Sequence, residues 1–321
     1  MLSFTTPAPT LDVLNLDFLK QFKYFNIVRS CNGFLLCMSE PGAHYFVCNP
    51  ITRDFTTLNN HPFGNRGAEL YLAFDPSISP HYKVISVLQQ LVYDKSVFVD
   101  DWVFNEYCFK TRSWSPGVSF RTKQLPGCHN AKGVYCNRAI YWCTNAEFSM
   151  YFDIDAMLLT KYWRMPLSNS EWVNRSIKYF GESGVRLHLA VKVAKQTFKY
   201  DIFELEENYS RWSLRHRVDL SPVRHMIMIN GGSFYDWGFN IVRPVKEEKS
   251  MLVLVAIKQT LIVYDPLTST KLCEIKMGPT AQSIKSSISL GKVFHYLENN
   301  ALVEACTDKP DSTRQLCCAI L

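Results

Sequence analysis

Apolar and polar residues alternate in short runs along most of this chain, and the runs stop at Asn, Asp, Gly or Pro. Tyr45 to Asn49, Val103 to Phe109, Met150 to Asp155, Tyr200 to Leu205 and Leu261 to Asp265 have the length and the β-branched and aromatic content of half-buried strands. A similar polar phrase follows each: Thr52-Arg53-Asp54-Phe55, Thr111-Arg112-Ser113-Trp114, Thr160-Lys161-Tyr162-Trp163, Ser210-Arg211-Trp212 and Thr268-Ser269-Thr270-Lys271-Leu272. Each phrase predicts a reversal, with an aromatic or Leu anchoring the returning strand. Pro50 and Pro266 strengthen two of these turns, because proline presets φ at a first corner. A second phrase, a polar or glycine turn and then an apolar strand, starts at Asn32-Gly33, Asn137-Arg138, Gly184-Val185 and Gly291-Lys292.

Trp114, Trp163 and Trp212 stand 49 residues apart. With Phe55 they are read as the repeating strand anchors. Strand, turn, strand, turn and anchored strand, recurring every 45 to 60 residues, predict an all-β chain built as a β-propeller. Five copies are visible. The strand at Val293 to Tyr296 suggests a sixth blade, closed by strands from both ends of the chain. Wider spacings predict loop insertions near Gln89 to Asp101 and Gly231 to Lys249, and Thr10 to Phe22 is the one amphipathic helical candidate. A pair of β-sandwiches also yields regular short strands, but explains the 49-residue period poorly.

Composition agrees with one large β domain rather than two smaller ones. The 321 residues hold 21 Phe, 16 Tyr and 7 Trp against 14 Gly, and 47% are hydrophobic. The net charge of +6 is spread along the chain, so no nucleic-acid partner is expected. Its densest basic stretch, Arg211 to Arg217, alternates with Trp212 and Leu214 and reads as a strand with a solvated basic face. Eleven cysteines include no Cys-x-x-Cys, and the start shows no secretory signal. They read as small buried hydrophobes in a reducing cytoplasmic or nuclear setting.

Motif chemistry is sparse. The eight histidines form no His-x-x-x-His pair or zinc-finger spacing, and no phosphate loop, nucleophile elbow or dinucleotide fingerprint occurs. No catalytic residue, metal or cofactor is therefore assigned, and an enzyme is the weaker reading. Two features point to binding. Phe234, Tyr235 and Trp237 sit on a glycine-bounded segment and are candidate partner anchors, since rigid aromatics carry much of an interface's energy; the alternative is that they continue a strand and cover the propeller core. Cys318-Ala319-Ile320-Leu321 fits the geranylgeranylation pattern, which would put Cys318 at a membrane.

Three phrases together resemble the plant F-box-associated domain. They are Ser30-Cys31-Asn32-Gly33-Phe34-Leu35-Leu36-Cys37 with Phe46-Val47-Cys48-Asn49-Pro50-Ile51-Thr52-Arg53, then Leu72-Ala73-Phe74-Asp75-Pro76-Ser77 with Ser79-Pro80-His81-Tyr82-Lys83-Val84, and Val293-Phe294-His295-Tyr296-Leu297-Glu298. The resemblance implies a kelch-like propeller over 25–305, a 1–24 extension and a polar tail at 306–321. It also implies a protein-interaction module that recruits a target protein for ubiquitination. Docking on a Skp-type adaptor and cullin would need an F-box, and Met1 to Tyr24 shows none of that module's helical pattern. The alternative is a stand-alone or lipid-anchored propeller scaffold.

Overall fold

The computed structural model describes residues 16–22, 24–39, 44–59, 61–62, 67–94, 96–123, 133–143, 148–167, 170–171, 175–206, 211–231, 237–242, 251–257, 260–276, 294–297 and 316–319. Consecutive strands pair with one another, so each sheet is a local product of the sequence. Sheet A is β1 (Phe25–Cys31), β2 (Phe34–Ser39), β3 (Tyr45–Asn49) and β4 (Asp54–Leu58). Sheet B is β5 (Glu69–Ala73), β6 (Lys83–Asp94), β7 (Val97–Cys108) and β8 (Ser113–Trp114), with β9 (Val118–Lys123) also on β7. Sheet C is β10 (Gly133–Cys136), β11 (Ala139–Trp142), β12 (Phe148–Asp153) and β13 (Leu158–Arg164). Sheet D is β14 (Ile177–Ser183), β15 (Arg186–Lys192), β16 (Lys199–Leu205) and β17 (Trp212–Asp219). A helix α1 (Arg224–Gly231) leads to sheet E: β18 (Trp237–Val242), β19 (Leu252–Ile257), β20 (Thr260–Asp265) and β21 (Thr270–Lys276). β22 (Phe294–Leu297) and β23 (Leu316–Ala319) form a two-stranded sheet F.

Two turn chemistries repeat, and both follow from the phrases in the sequence. The first hairpin of sheets A, C and D closes with two residues, pairing Cys31 with Phe34, Cys136 with Ala139 and Ser183 with Arg186. Both turn residues are left-handed: Asn32 and Gly33 at φ 44° and 89°, Asn137 and Arg138 at 41° and 64°, Gly184 and Val185 at 61° and 58°. That is the turn whose twist matches the strands it joins. The last hairpin of sheets A, B, C and E uses four residues and ends on a left-handed one: Arg53, Arg112, Met157 and Ser269, at φ 60°, 52°, 50° and 55°. In three of them the strand-ending residue holds the turn. Asn49 accepts from the Ile51 N–H at 2.9 Å, Asp153 from Asp155 at 3.0 Å and Asp265 from Leu267 at 2.8 Å.

The sheets stack face to face around an axis, as blades of a β-propeller. First strands neighbour one another in order, β1 on β5, β5 on β10, β10 on β14 and β14 on β18, and β22 returns to β1. Separate apolar cores fill the spaces between A and B, B and C, C and D, and D and E. Serial packing of this kind excludes two sandwiches, in which each sheet would have one buried face. The free face of sheet A is covered by the chain's own start. Leu16, Phe18, Leu19 and Phe22 pack on Leu35, Cys37, Phe46 and Cys48, around a single 3-10 turn at Asp17–Leu19. The helix expected over Thr10 to Phe22 is therefore no more than that turn among the described residues.

Other expectations shift as well. Both described strands of sheet F come from the C-terminal part, so the expectation of strands from both chain ends is not met there. Leu316–Ala319, inside the stretch read as a polar tail, pairs with Phe294–Leu297 because Leu316-Cys317-Cys318-Ala319 is an apolar run. Gln89 to Asp101 is no loop insertion: β6 and β7 stay in register from Lys83–Cys108 out to Asp94–Val97. The 3-10 turn Ser221–Val223 and α1 were not anticipated, although Pro222 in the first turn and Gly231 at the end are the usual helix signals.

Candidate recognition surface

Around the axis, the first strands interlock through polar groups. The Arg29 guanidinium of β1 lies 3.5 Å from the Glu69 carboxylate of β5 and 4.9 Å from the centre of the Tyr71 ring. Tyr71 donates its hydroxyl to Glu69 and accepts the Gly133 N–H of β10 at 3.0 Å. Burial, reinforced by Glu69, pushes the Tyr71 phenol well up. Gly133 is required here, because a Cβ would meet Tyr71 Oη at 2.7 Å and Trp142 Nε1 at 2.9 Å. Blades A, B and C are thus pinned at the axis by one tyrosine.

On β14, burial lowers Lys178 to about 8 and raises Glu182 to about 7. Glu182 accepts the Val185 N–H at 2.7 Å, and its charge is felt at Tyr179 of its own strand and at Cys31 of β1. A pH effect follows with a definite sign. The folded carboxyl keeps its proton up to about 7, whereas an unfolded glutamate releases it near 4.3. Between those values the folded chain binds more protons, so its stability falls as pH rises through the window. Glu182→Gln is expected to abolish this slope, matching wild type at pH 4 and melting higher at pH 8. Thermal melts across that range check it; parallel profiles of variant and wild type would count against Glu182 as the source.

Cysteines join neighbouring blade tips. Cys31 Sγ donates to the Phe74 carbonyl at 3.3 Å, beside Asn32 Nδ2 on the same oxygen at 2.7 Å. Cys136 Sγ donates to the Val185 carbonyl at 3.5 Å. Burial pushes the Cys31 and Cys37 thiols up, which makes them inert. Cys31, Cys37, Cys48, Cys108, Cys136 and Cys143 are free thiols.

The basic stretch of β17 is anchored from beneath by buried carboxylates. Arg217 and Arg175 reach the buried Asp201 carboxylate at 2.6 and 3.2 Å. Arg186 and Arg215 both reach Glu204 at 3.3 Å, and His188 Nε2 is 3.2 Å from its other oxygen. The expected alternation breaks at a bulge at Arg215, which leaves Leu214 50% exposed; Arg215 and Arg217 answer two carboxylates of β16, while Arg211 reaches Glu206 at 3.0 Å.

The anchor residues occupy outer strands. Phe55 and Trp114 hold the same place, the second residue after the left-handed turn position of β4 and β8. Phe55 meets Phe22 and Phe46 edge-on, and Trp114 Nε1 donates to the Asn59 carbonyl at 3.0 Å. Trp212 opens β17 and is buried in the core between C and D. Trp163 is out of register with these. The sheet C turn is Ile154 to Met157, so Leu159 takes the place of Phe55, and Thr160 to Trp163 lie inside β13.

Of the proposed partner anchors, Phe234 and Tyr235 lie outside the described residues. Trp237 begins β18 opposite Ile257, and its side chain lies outside them too. Cys318 is in β23 opposite His295. One pairing that resembles catalytic chemistry, His61 Nε2 with Ser86 Oγ at 2.9 Å, is structural because Ser86 is fully buried.

Exposed apolar side chains occur at both ends of the propeller. Ile51, Ile78, Val185 and Leu267 sit on turns at the end that carries the two-residue hairpins. Leu91, Tyr93, Val97 and Phe98 sit on the far end, where β6 and β7 outgrow their sheet.

Comparison with known proteins gives this architecture a lineage. The F-box protein At5g07610 of Arabidopsis thaliana is 27% identical over 274 residues, covering 78% of this chain and 64% of that protein, so the chain spans a little under two thirds of its relative. Superposition on a chain from the crystal structure of a mitotic checkpoint complex covers 86% of this chain and 75% of that one, at 9% identity and a TM-score of 0.34. The family model for the F-box associated beta propeller domain matches residues 6–284, which takes in sheets A to E and the apolar segment that covers sheet A. With its blades, turns and axis accounted for, the chain belongs to the family of F-box associated beta propeller domains.

Proposed function

We propose that this propeller is the target-recognition part of an F-box-type ubiquitin ligase subunit, binding a protein that the ligase then modifies. The observation that carries the reading is the family match across 6–284, in a domain found associated with the F-box. A catalytic role gains no support from the site: its buried polar groups are spent on one another, as in the Arg29, Glu69, Tyr71 and Gly133 linkage. Adaptor and cullin contact belongs to an F-box joined to this domain. The free thiols fit work in the cytoplasm or nucleus.

The test is proximity labelling in plant cells with the tagged chain under proteasome inhibition, followed by a binary binding assay for each labelled protein. A directly bound protein whose ubiquitination rises when an F-box is fused to the chain is the expected result. Direct partners that never gain ubiquitin in that fusion would leave a scaffold and remove the ligase role.

A further inference from the structure

β17, the outermost strand of sheet D, carries the densest basic stretch of the chain. From Arg175 to Asp219 this blade has nine Lys and Arg against six Asp and Glu, so it holds half of the chain's net charge of +6.

A bulge decides where that charge points. β17 pairs Leu214 with Phe203 and His216 with Ile202, so Arg215 is the extra residue. Trp212 and Val218 are an even number of residues apart and would share a face of an unbroken strand. Instead Trp212 lies in the core between C and D, and Val218 in the core between D and E. The shift puts Leu214 and Arg217 on the Trp212 side and takes Arg215 out of the alternation. All three reach solvent: Leu214 is 50% exposed, and the side chains of Arg215 and Arg217 are 43% and 63% exposed.

Each arginine is aimed by a carboxylate that solvent does not reach. Arg217 and Arg175 share Asp201, and Arg215 and Arg186 share Glu204, with both carboxylates buried. Two guanidiniums on one carboxylate leave a positive charge over at each place. Arg211 and Glu206 balance one another at the start of the strand, as do Lys199 and Asp219 at its end. Among the described groups, the excess therefore sits in the middle of the edge, around Leu214.

A guanidinium held by one carboxylate is preset for a second. Its planar fork matches a carboxylate bidentately and is more weakly hydrated than an ammonium. Fixing the side chain beforehand lowers the ordering cost of binding. Leu214 narrows the choice of anion, because a peptide can lay an aliphatic side chain on it between two carboxylates and a phosphate backbone has none to offer.

We propose that the β17 edge at Leu214, Arg215 and Arg217 is a docking site for an acidic segment of the recognised protein, whose carboxylates pair with the two arginines while an aliphatic side chain covers Leu214. This rests on the recognition reading above and deepens it by naming the chemistry of the partner.

The experiment uses the full chain against a phage-displayed library of random 12-residue peptides, with the double variant Arg215→Gln, Arg217→Gln, and with Leu214→Glu and Arg121→Gln, as comparators. The double variant removes the excess charge and leaves Arg175 and Arg186 on the buried carboxylates. Leu214→Glu spares both clusters and adds a repelling charge at an exposed position, which guards against misfolding; near-UV circular dichroism checks every variant. Arg121→Gln takes one exposed charge from sheet B instead and shows whether net charge alone drives binding. Expected are peptides rich in Asp and Glu around an aliphatic residue, bound about 10-fold more weakly by the double variant and by Leu214→Glu, unchanged by Arg121→Gln, and weakened by salt. Selected peptides that are uncharged, or that bind the folded variants as well as wild type, would overturn the site while leaving the recognition reading intact. An empty selection would overturn it as well. Tighter binding of single-stranded DNA, or of phosphoserine copies of the peptides, would also overturn it and give the edge to a phosphate. Loss of the recognition reading itself is seen separately, in the labelling experiment with the F-box fusion.

Discussion

Phe152→Ala is expected to cost about 3–5 kcal/mol of stability, the range for truncating a buried aromatic. Phe152 of sheet C is fully buried and stacks on Phe104 of sheet B, with centroids 3.9 Å apart and planes 2° from parallel. Around this pair Trp142 meets Trp102 at 5.3 Å, Phe104 at 6.1 Å and Tyr71 at 5.9 Å, all edge-on. Removing the ring takes a partner from the middle of the largest aromatic cluster between two blades, and neighbours held from both sides cannot collapse into the space. Phe152→Leu keeps much of the volume and should cost markedly less. Urea unfolding followed by tryptophan fluorescence checks both. A Phe152→Ala midpoint equal to wild type would mean the blades do not pack through this cluster.

Glu204→Ala is expected to destabilise by a similar amount, about 3–5 kcal/mol, for a different reason. Glu204 is 1% exposed and answers Arg186, Arg215 and His188. Its removal leaves guanidinium groups facing an apolar interface and a buried imidazole without its carboxylate. Arg215→Ala makes the contrast. Arg215 is 43% exposed on its side chain and Arg186 remains on the same oxygen, so this change should cost about 1 kcal/mol or less. A double-mutant cycle between the two sites measures the coupling. Equal losses from the two single variants would contradict a carboxylate-centred cluster.

The turns were the most legible part of the sequence. Asn49-Pro50 and Asp265-Pro266 carry their geometry in the residue types, since a strand-ending Asn or Asp can accept an N–H two residues on. Asn32-Gly33 does the same for a two-residue hairpin. From these the propeller follows, because turns spaced at regular intervals leave room only for short antiparallel strands. The Trp163 register was misjudged because Thr-Lys-Tyr-Trp mimics a turn phrase, while the real turn rests on Asp153. The β6–β7 extension stayed hidden for a related reason. Gln89-Gln90 and Asp100-Asp101 interrupt the alternation, and the residues at 95 and 96, Lys and Ser, are not a turn signal. α1 was obscured by Met226-Ile227-Met228-Ile229, a run that reads equally as strand or helix.

The candidate site was less legible than the fold. Composition identified Arg211 to Arg217 as basic, but the carboxylate partners of Arg215 and Arg217 lie on β16 and are brought opposite only by strand pairing. Phe234, Tyr235 and Trp237, the aromatics that the sequence singled out, have side chains outside the described residues.

Sheets A to E are each made from neighbouring strands, so each can form early from contacts close in sequence. The seam is different. β1 and β22 meet across roughly 260 intervening residues, and that contact can be made only once the other blades are in place. Closing the ring is thus a slow, late step, and breathing motions that let amide protons exchange should start at this junction and spread inward from it.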